Sequence, residues 1–451
     1  MAMFPPPPQE LAPPPRASTA PPFSQLFITV LFVALAFTAG WVGNGLVNRD
    51  APTPSSAKPW DKDIWAAWNA IDTQYWNPQA IDHQKMTYAA IAAMVDSLGD
   101  TGHSVALTPA AAQQENQSLS NAGFVGIGVY ITQKTTSAGT AIVVQAAIPD
   151  SPAAQYLLPG DRFVSVNGTD VTNASLDTFN TLVRGKEGTS VTVVISRASS
   201  KTPLSFTITR KKITPKLVTS VYFPEDHIGY IHFDIFADGV AQEMQTNLKA
   251  LQAEGATSLI LDLRDNGGGL VTGAIGVASD FLQPGQTVFN EKDRNGKITA
   301  NKVDSDAAAP KGLHLTLPMA ILVNANTASA SEITTTGIIG NRPDVQVIGE
   351  RTYGTETVLL PFQLPSGAQL TLGVSQWLTP SLTHLAPGAG LTPTKTITLP
   401  AGAVAQSPLI IKQLKLSETD VLNCKGLNPD PQLIAGIQSL NAARVSTCAT
   451  K

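Results

Sequence analysis

The chain has 451 residues, room for about three domains, with 14% charged residues and a formal net charge of -4. No basic stripe stands out, which argues against a nucleic-acid partner.

Residues 1–25 are proline-rich, with Pro5–Pro8 and Pro13–Pro15, and read as a polyproline-II tail on the cytoplasmic side. No charge occurs from Ala17 to Asn48, and residues 26–43 are strongly apolar. Eighteen helical residues span about 27 Å, close to a bilayer core. The stretch is long for a signal-peptide core and no clean A-x-A site follows, so a single-pass anchor is expected rather than a cleaved signal peptide. Arg16 precedes it, which puts the N-terminus inside and residues 50–451 outside the cell membrane. Residues 44–60 are a linker.

Residues 61–120 form a helical segment. Ile64, Trp68, Ile71 and Tyr75 keep a helix period, as do Ile91, Met94, Val95 and Leu98; packing and homodimerisation are both open to this pair. Residues 122–213 read as short strands at Phe124–Ile131, Ala141–Ala147, Phe163–Val166, Ser190–Ser196 and Leu204–Thr209, with one helix at Leu176–Val183. Residues 214–400 alternate helix-period stretches with buried strands, the pattern of an α/β core. Helices are expected at Val240–Leu251, Val271–Leu282 and Ser331–Ile339. Strands are expected at Ser258–Leu263, Met319–Val323, Val345–Gly349, Thr357–Phe362 and Gln369–Val374. Residues 401–451 are a helical tail. It holds the only cysteines, Cys424 and Cys448, which outside the cell could form a local disulfide or remain as two thiols.

Two turns carry candidate chemistry. Arg264–Gly269 leaves a buried strand and enters a helix, and its glycines let the backbone approach a ligand closely. The lysine and hydroxyl of a phosphate loop are missing, so a plain tight turn competes. Asn324–Ser331 also passes from strand to helix, and a serine at a helix N-terminus suits attack that builds an oxyanion. Helix capping by Thr327, Ser329 and Ser331 competes.

Taken together, the motifs resemble those of the PDZ-containing carboxy-terminal processing peptidases, a family of serine peptidases. The likeness covers most of 60–400. It includes His103-Ser104 within Asp100–Pro109, Gly126-Ile127-Gly128, Ser151-Pro152-Ala153, Pro159-Gly160-Asp161, Leu261–Gly269, Thr327–Ile333, Gly349–Gly354 and Asp430-Pro431-Gln432-Leu433. The resemblance implies an α/β multidomain protein, with a PDZ domain inserted before a crotonase-like peptidase core. It implies Ser329 as nucleophile and an oxyanion hole from Ala330 with Gly268 or Gly269. It implies a substrate C-terminus held by the backbone of Phe124, Val125, Gly126, Ile127 and Gly128, the peptide adding as a strand. No cofactor and no metal are called for.

One motif departs. The family carries its general-base lysine in a Thr-Phe-Gly-Lys-Gly run, with a glutamine four residues later. This chain has Thr352-Tyr353-Gly354-Thr355-Glu356, with Leu359 at the glutamine's place, and no lysine from Ser329 to Thr394. A serine without a base is a poor nucleophile. Three readings follow: a substitute base (His384, Glu356 or Glu332), a slow peptidase switched on by a partner or by substrate, or a peptide-binding pseudo-enzyme.

Overall fold

The central sheet of the computed structural model is built around two buried strands whose centres are continuously apolar, Ser258–Asp262 and Met319–Val323. Its strands lie in the order Val218–Phe223, Ile228–Phe233, Ser258–Asp262, Met319–Val323, Gln346–Gly349 and Lys395–Thr396, parallel except for the first pair. The model describes residues 49–50, 61–100, 103–121, 123–136, 139–305, 309–385, 389–400, 403–426, 428–444 and 446. Among them no helix is long and apolar enough to cross a membrane; the apolar stretch 26–43 lies outside the described residues.

Alternation within the strands divides the core. Leu259, Leu261, Ile321 and Val323 face one side, under the helices Val240–Glu254, Val271–Ser279 and Ala330–Asn341. Ile260, Ala320 and Leu322 face the other, under Leu433, Ile434 and Ile437 of the tail helix Pro431–Leu440. Both faces are therefore covered, which is why these strands read as continuous apolar runs.

A second sheet runs alongside, in the order Thr357–Gln363, Gln369–Leu378, Thr287–Asp293 and Ile298–Lys302. The short strand Val105–Leu107 adds antiparallel to Gln369–Leu378, pairing Thr371 with Val105. That pairing brings the segment around residue 103 beside the core, a consequence that helix and strand periods do not reveal.

The unit assigned by resemblance to a PDZ domain is an antiparallel sheet ordered Val129–Thr136, Gly139–Ala147, Arg162–Val166, Ser190–Ser196 and Leu204–Thr209. Its core packs Ile142, Val144, Val191 and Ile195 around Phe163 and Phe179, whose ring centroids are 4.5 Å apart. The helix Leu176–Val183 matches its expected bounds. The single strand expected over Phe124–Ile131 is corrected: Phe124–Gly126 pairs instead with Lys211–Ile213, and Val129–Thr136 is separate. Gly128 causes the break, with φ +81°, and a Cβ there would sit 2.3 Å from the Cβ of Ser151. The helix expected to run to Leu282 ends at Ser279, and the segment 61–120 carries a third helix, Pro109–Leu119, beyond the two whose periods were read.

The tail ties the units together. Gln413 donates to Ala147 O and accepts from Ala147 N–H, joining the tail to the PDZ-like sheet. Cys424 is disulfide-bonded, and Cys448 is the only other cysteine in the chain.

Glu418, which starts the short helix Glu418–Leu422, is wholly buried, with Arg444 Nε 3.6 Å from its Oε1. Burial, followed by the neighbouring Asp226, pushes its carboxyl up to about 8. The unfolded chain ionises this group near the ordinary value, whereas the folded chain keeps the proton. The stability it supports is thus present at acid pH and lost as pH rises through about 8. Glu418→Gln should leave the melting temperature nearly unchanged at pH 5 and raise it at pH 9. A melting series in which the two curves stay parallel would refute this.

Candidate active site

Ser329 stands at the N-terminus of the helix Ala330–Asn341 with φ 54° and ψ -119°, a strained backbone for a residue with a side chain. It is 6% exposed. The glycine turn packs directly against it. A Cβ on Gly268 (φ +103°) would lie 2.7 Å from the Cβ of Ser329, 2.9 Å from Ala328 O and 3.0 Å from Ala330 N. Only glycine lets the two turns meet this closely.

Cross-bonds hold the turns in register. Ala328 N–H and the Ser331 hydroxyl both donate to Asn266 O, at 3.1 and 2.9 Å. The Thr327 hydroxyl donates to Leu263 O at 2.8 Å. Asn324 and Asn326 donate their side-chain amides to Asp265 at 2.9 and 2.6 Å. The residues that read as possible caps are thus partly stitches between two loops.

The Ala330 N–H is a first-turn donor with no acceptor inside the helix. It points from the positive end of the helix dipole, where a developing oxyanion is stabilised. The Gly268 N–H donates to Asn266 Oδ1 at 2.9 Å, which leaves Gly269 as the turn's other candidate donor. Gly269 is fixed by bridging to Phe236.

Glu332 is the hub that the sequence reading named only as a substitute base. It is wholly buried. Its Oε2 accepts from Ser329 N–H (3.0 Å), Thr355 N–H (2.9 Å) and the Thr355 hydroxyl (2.8 Å). Its Oε1 accepts from the Thr352 hydroxyl (2.5 Å) and Gly354 N–H (2.8 Å). The Ser329-to-Glu332 spacing of a capping box was the available signal, but the reach to residues 352–355 is tertiary. With both oxygens engaged by donors, this carboxylate is built to hold the loop.

Thr355 lies beside Ser329, its hydroxyl oxygen accepting from Ser329 N–H at 3.1 Å. The position of the missing lysine is therefore at the site, but its occupant is a neutral hydroxyl. His384 is exposed, and its Nδ1 pairs with Leu385 O at 3.1 Å. His103 is packed against Tyr353, with ring centroids 6.0 Å apart.

The loop Phe124–Gly128 lies beside the open edge strand Val129–Thr136, where a peptide strand could add. A cavity of about 330 Å³ connects this edge with the two turns, reaching from Ile131 and Leu176 to Asp265, Gly267 and Asn326. A second cavity of about 270 Å³ lies at Phe124, Arg184 and Lys216. The cavity thus runs from the edge strand to the outer residues of the two turns, Asp265, Gly267 and Asn326.

Residues 227–397 match the model of peptidase family S41, and residues 143–197 match a PDZ domain. The carboxy-terminal processing protease CtpA of Bacillus subtilis is 31% identical over 359 residues, covering 79% of this chain and 73% of that protein. The chain belongs to the S41 carboxy-terminal processing peptidases. A probable CtpA-like serine protease of Staphylococcus haemolyticus is likewise 31% identical, over 83% of this chain and 73% of its own length. A solved S41-type structure from Bacteroides fragilis shares the fold at 16% identity with a TM-score of 0.53, covering 77% of this chain and 92% of its own. The expected mixed α/β architecture of S41 core and PDZ domain is accordingly that of a family of serine hydrolases.

Proposed function

We propose that this S41 member is a single-pass membrane serine endopeptidase, with its catalytic part outside the cell, that cuts proteins near their C-termini. Ser329 attacks the scissile carbonyl, Ala330 and Gly269 hold the oxyanion, and the PDZ loop at Phe124–Gly128 takes the substrate's terminus. The observation that carries this reading is the strained Ser329 at a helix N-terminus, packed on Gly268. Anchoring rests on the uncharged run 26–43; recovery of the full chain in the soluble fraction would remove it. Exposed Trp65 on the helix Asp61–Gln74 and Trp76 just after it support a homodimer, which a monomeric mass in sedimentation would exclude.

A second reading has its own observation. Thr355 cannot accept a proton near neutral pH, and its hydroxyl is already donated to Glu332. A chain without a base would bind C-termini and leave them intact. Thr355→Lys separates the two. If the site lacks only its base, this change should raise turnover of an unfolded protein by about 10²–10⁴-fold. If wild type already turns over with another base, Thr355→Lys should change the rate little or lower it.

A further inference from the structure

We infer that His103 is the group that accepts the Ser329 proton, filling the role left open at Thr355; this rests on the serine-peptidase reading above. His103 comes from a segment more than two hundred residues before the nucleophile. The second sheet delivers it. Ser104 Oγ accepts the Gly373 N–H at 2.9 Å and donates to Asp100 Oδ2 at 2.5 Å. Asp100 Oδ1 then lies 3.5 Å from His103 Nδ1. Strand Gln369–Leu378 continues this contact to Thr357–Gln363, which leaves the Thr355 loop.

The ring is held on its other side by Tyr353. Tyr353 N–H donates to Thr327 O at 2.9 Å, two residues before the nucleophile. His103 therefore lies beside the Tyr353 loop that is bonded to the serine turn, with its side chain 13% exposed. Its Nε2 is buried and has no hydrogen-bond partner among the described residues. Glu356 Oε1 and Thr357 Oγ1 are in the same condition. Buried polar atoms are rarely left so without a use. Three such atoms, one on His103 and two on the residues that follow Thr355, mark a place where a water or a reacting group is received.

The surroundings set the charge. Burial lowers the pKa of His103 below the ordinary imidazole value. The carboxylates of Asp100 on its own segment, Glu332 on the nucleophile's helix and Glu356 beside Thr355 oppose that shift. Tyr353 also faces the ring. A neutral imidazole at pH 7 is thus surrounded by carboxylates that stabilise the imidazolium once it forms. Asp100 favours the proton on Nδ1, which leaves the Nε2 lone pair free. His384, exposed and paired with Leu385 O, has no comparable setting.

The step balances without a co-reactant. Ser329 Oγ bonds to the carbonyl carbon as its proton passes to His103 Nε2, and the carbonyl electron pair moves onto oxygen. The C–N bond breaks as the imidazolium returns that proton to the leaving amine. Water then repeats the sequence on the acyl-enzyme.

The test uses the full-length protein and a fluorophosphonate probe that reacts with activated serines, followed from pH 4.5 to 9. Affinity for a peptide with a free C-terminus is measured beside it. Wild type should label at Ser329 with an acid limb below the ordinary value of 6.5. His103→Gln should slow labelling by about 10²–10⁴-fold and remove the limb, with peptide affinity unchanged. Asp100→Asn, which removes a charge that raises the His103 pKa, should move the limb to lower pH; this variant keeps the test open if His103→Gln does not fold. Wild-type rate and limb in His103→Gln, or loss confined to His384→Gln, would overturn the inference and leave the peptidase reading standing. No Ser329-dependent labelling in wild type would overturn both.

Discussion

Ser329→Ala should lower hydrolysis by about 10⁴–10⁶-fold while leaving peptide binding intact. The expectation follows from where the binding and bond-breaking groups lie. The edge strand Val129–Thr136 belongs to the PDZ sheet and Phe124–Gly126 pairs with Lys211–Ile213, and removing one hydroxyl at the N-terminus of Ala330–Asn341 disturbs neither. Alanine also loses little locally, because the Ser329 main chain is held through its N–H by Glu332 and Thr355 rather than through its side chain. Turnover of an unfolded protein with an apolar C-terminus, measured beside peptide affinity, checks both halves. Equal turnover in wild type and variant would sink the assignment of the nucleophile. Unchanged binding in a wild type that never cleaves would favour the pseudo-enzyme.

The second large effect concerns stability. Arg264, fully buried, donates to Asp262 from Nε and Nη2 (2.9 and 2.6 Å), to both oxygens of Asp430 at 2.9 Å, and to Gln432 at 3.1 Å. Burial alone would raise the Asp262 carboxyl, and Arg264 with His232 holds it below its ordinary value. Its contribution is therefore present above the unfolded carboxylate's titration and is lost only as acid passes through the lowered folded value. Arg264→Leu strands buried Asp430 without its cation and leaves Asp262 with His232 alone, and should cost about 3–5 kcal/mol. Asp430 also caps the tail helix through Leu433 N–H, so the tail over Ile260 and Leu322 should loosen first. Urea unfolding with limited proteolysis of the tail would show this. A loss under about 1 kcal/mol would mean the network is not a tether. Arg264→Leu with Asp430→Leu should lose less than the sum of the two singles.

This network shows how much of the site could be read from residue order. Asp262, Arg264 and the Asp430-Pro431-Gln432-Leu433 run stood in the sequence as separate motifs. That they form one buried cluster depends on the tail helix covering the sheet, and no local period carries that. The two turns were different. Each is a strand-to-helix junction marked by its own glycines or small hydroxyl residues, so both turns were legible, whereas the role of Ser329 came only from the family resemblance. The strand Met319–Val323 and the helix Leu176–Val183 also fell where their patterns put them. The Phe124–Ile131 strand failed because apolar composition does not show that Gly128 must reverse the backbone against Ser151.

By itself, the sequence determined the α/β core, the order of its strands and helices along the chain, the serine and glycine turns, and the loss of the lysine. Those features rest on local chemistry: hydrophobic period, glycine at positive φ, and hydroxyls at a helix start. Tertiary structure alone decided which groups surround the nucleophile. Glu332 became a five-bonded hub only once residues 352–355 folded over it. His103 arrived beside Tyr353 because Val105–Leu107 pairs with a strand some 260 residues away. Sheet pairing at such separation is selected by the burial of whole faces, and single-sequence patterns record which residues want burial but not which partner provides it.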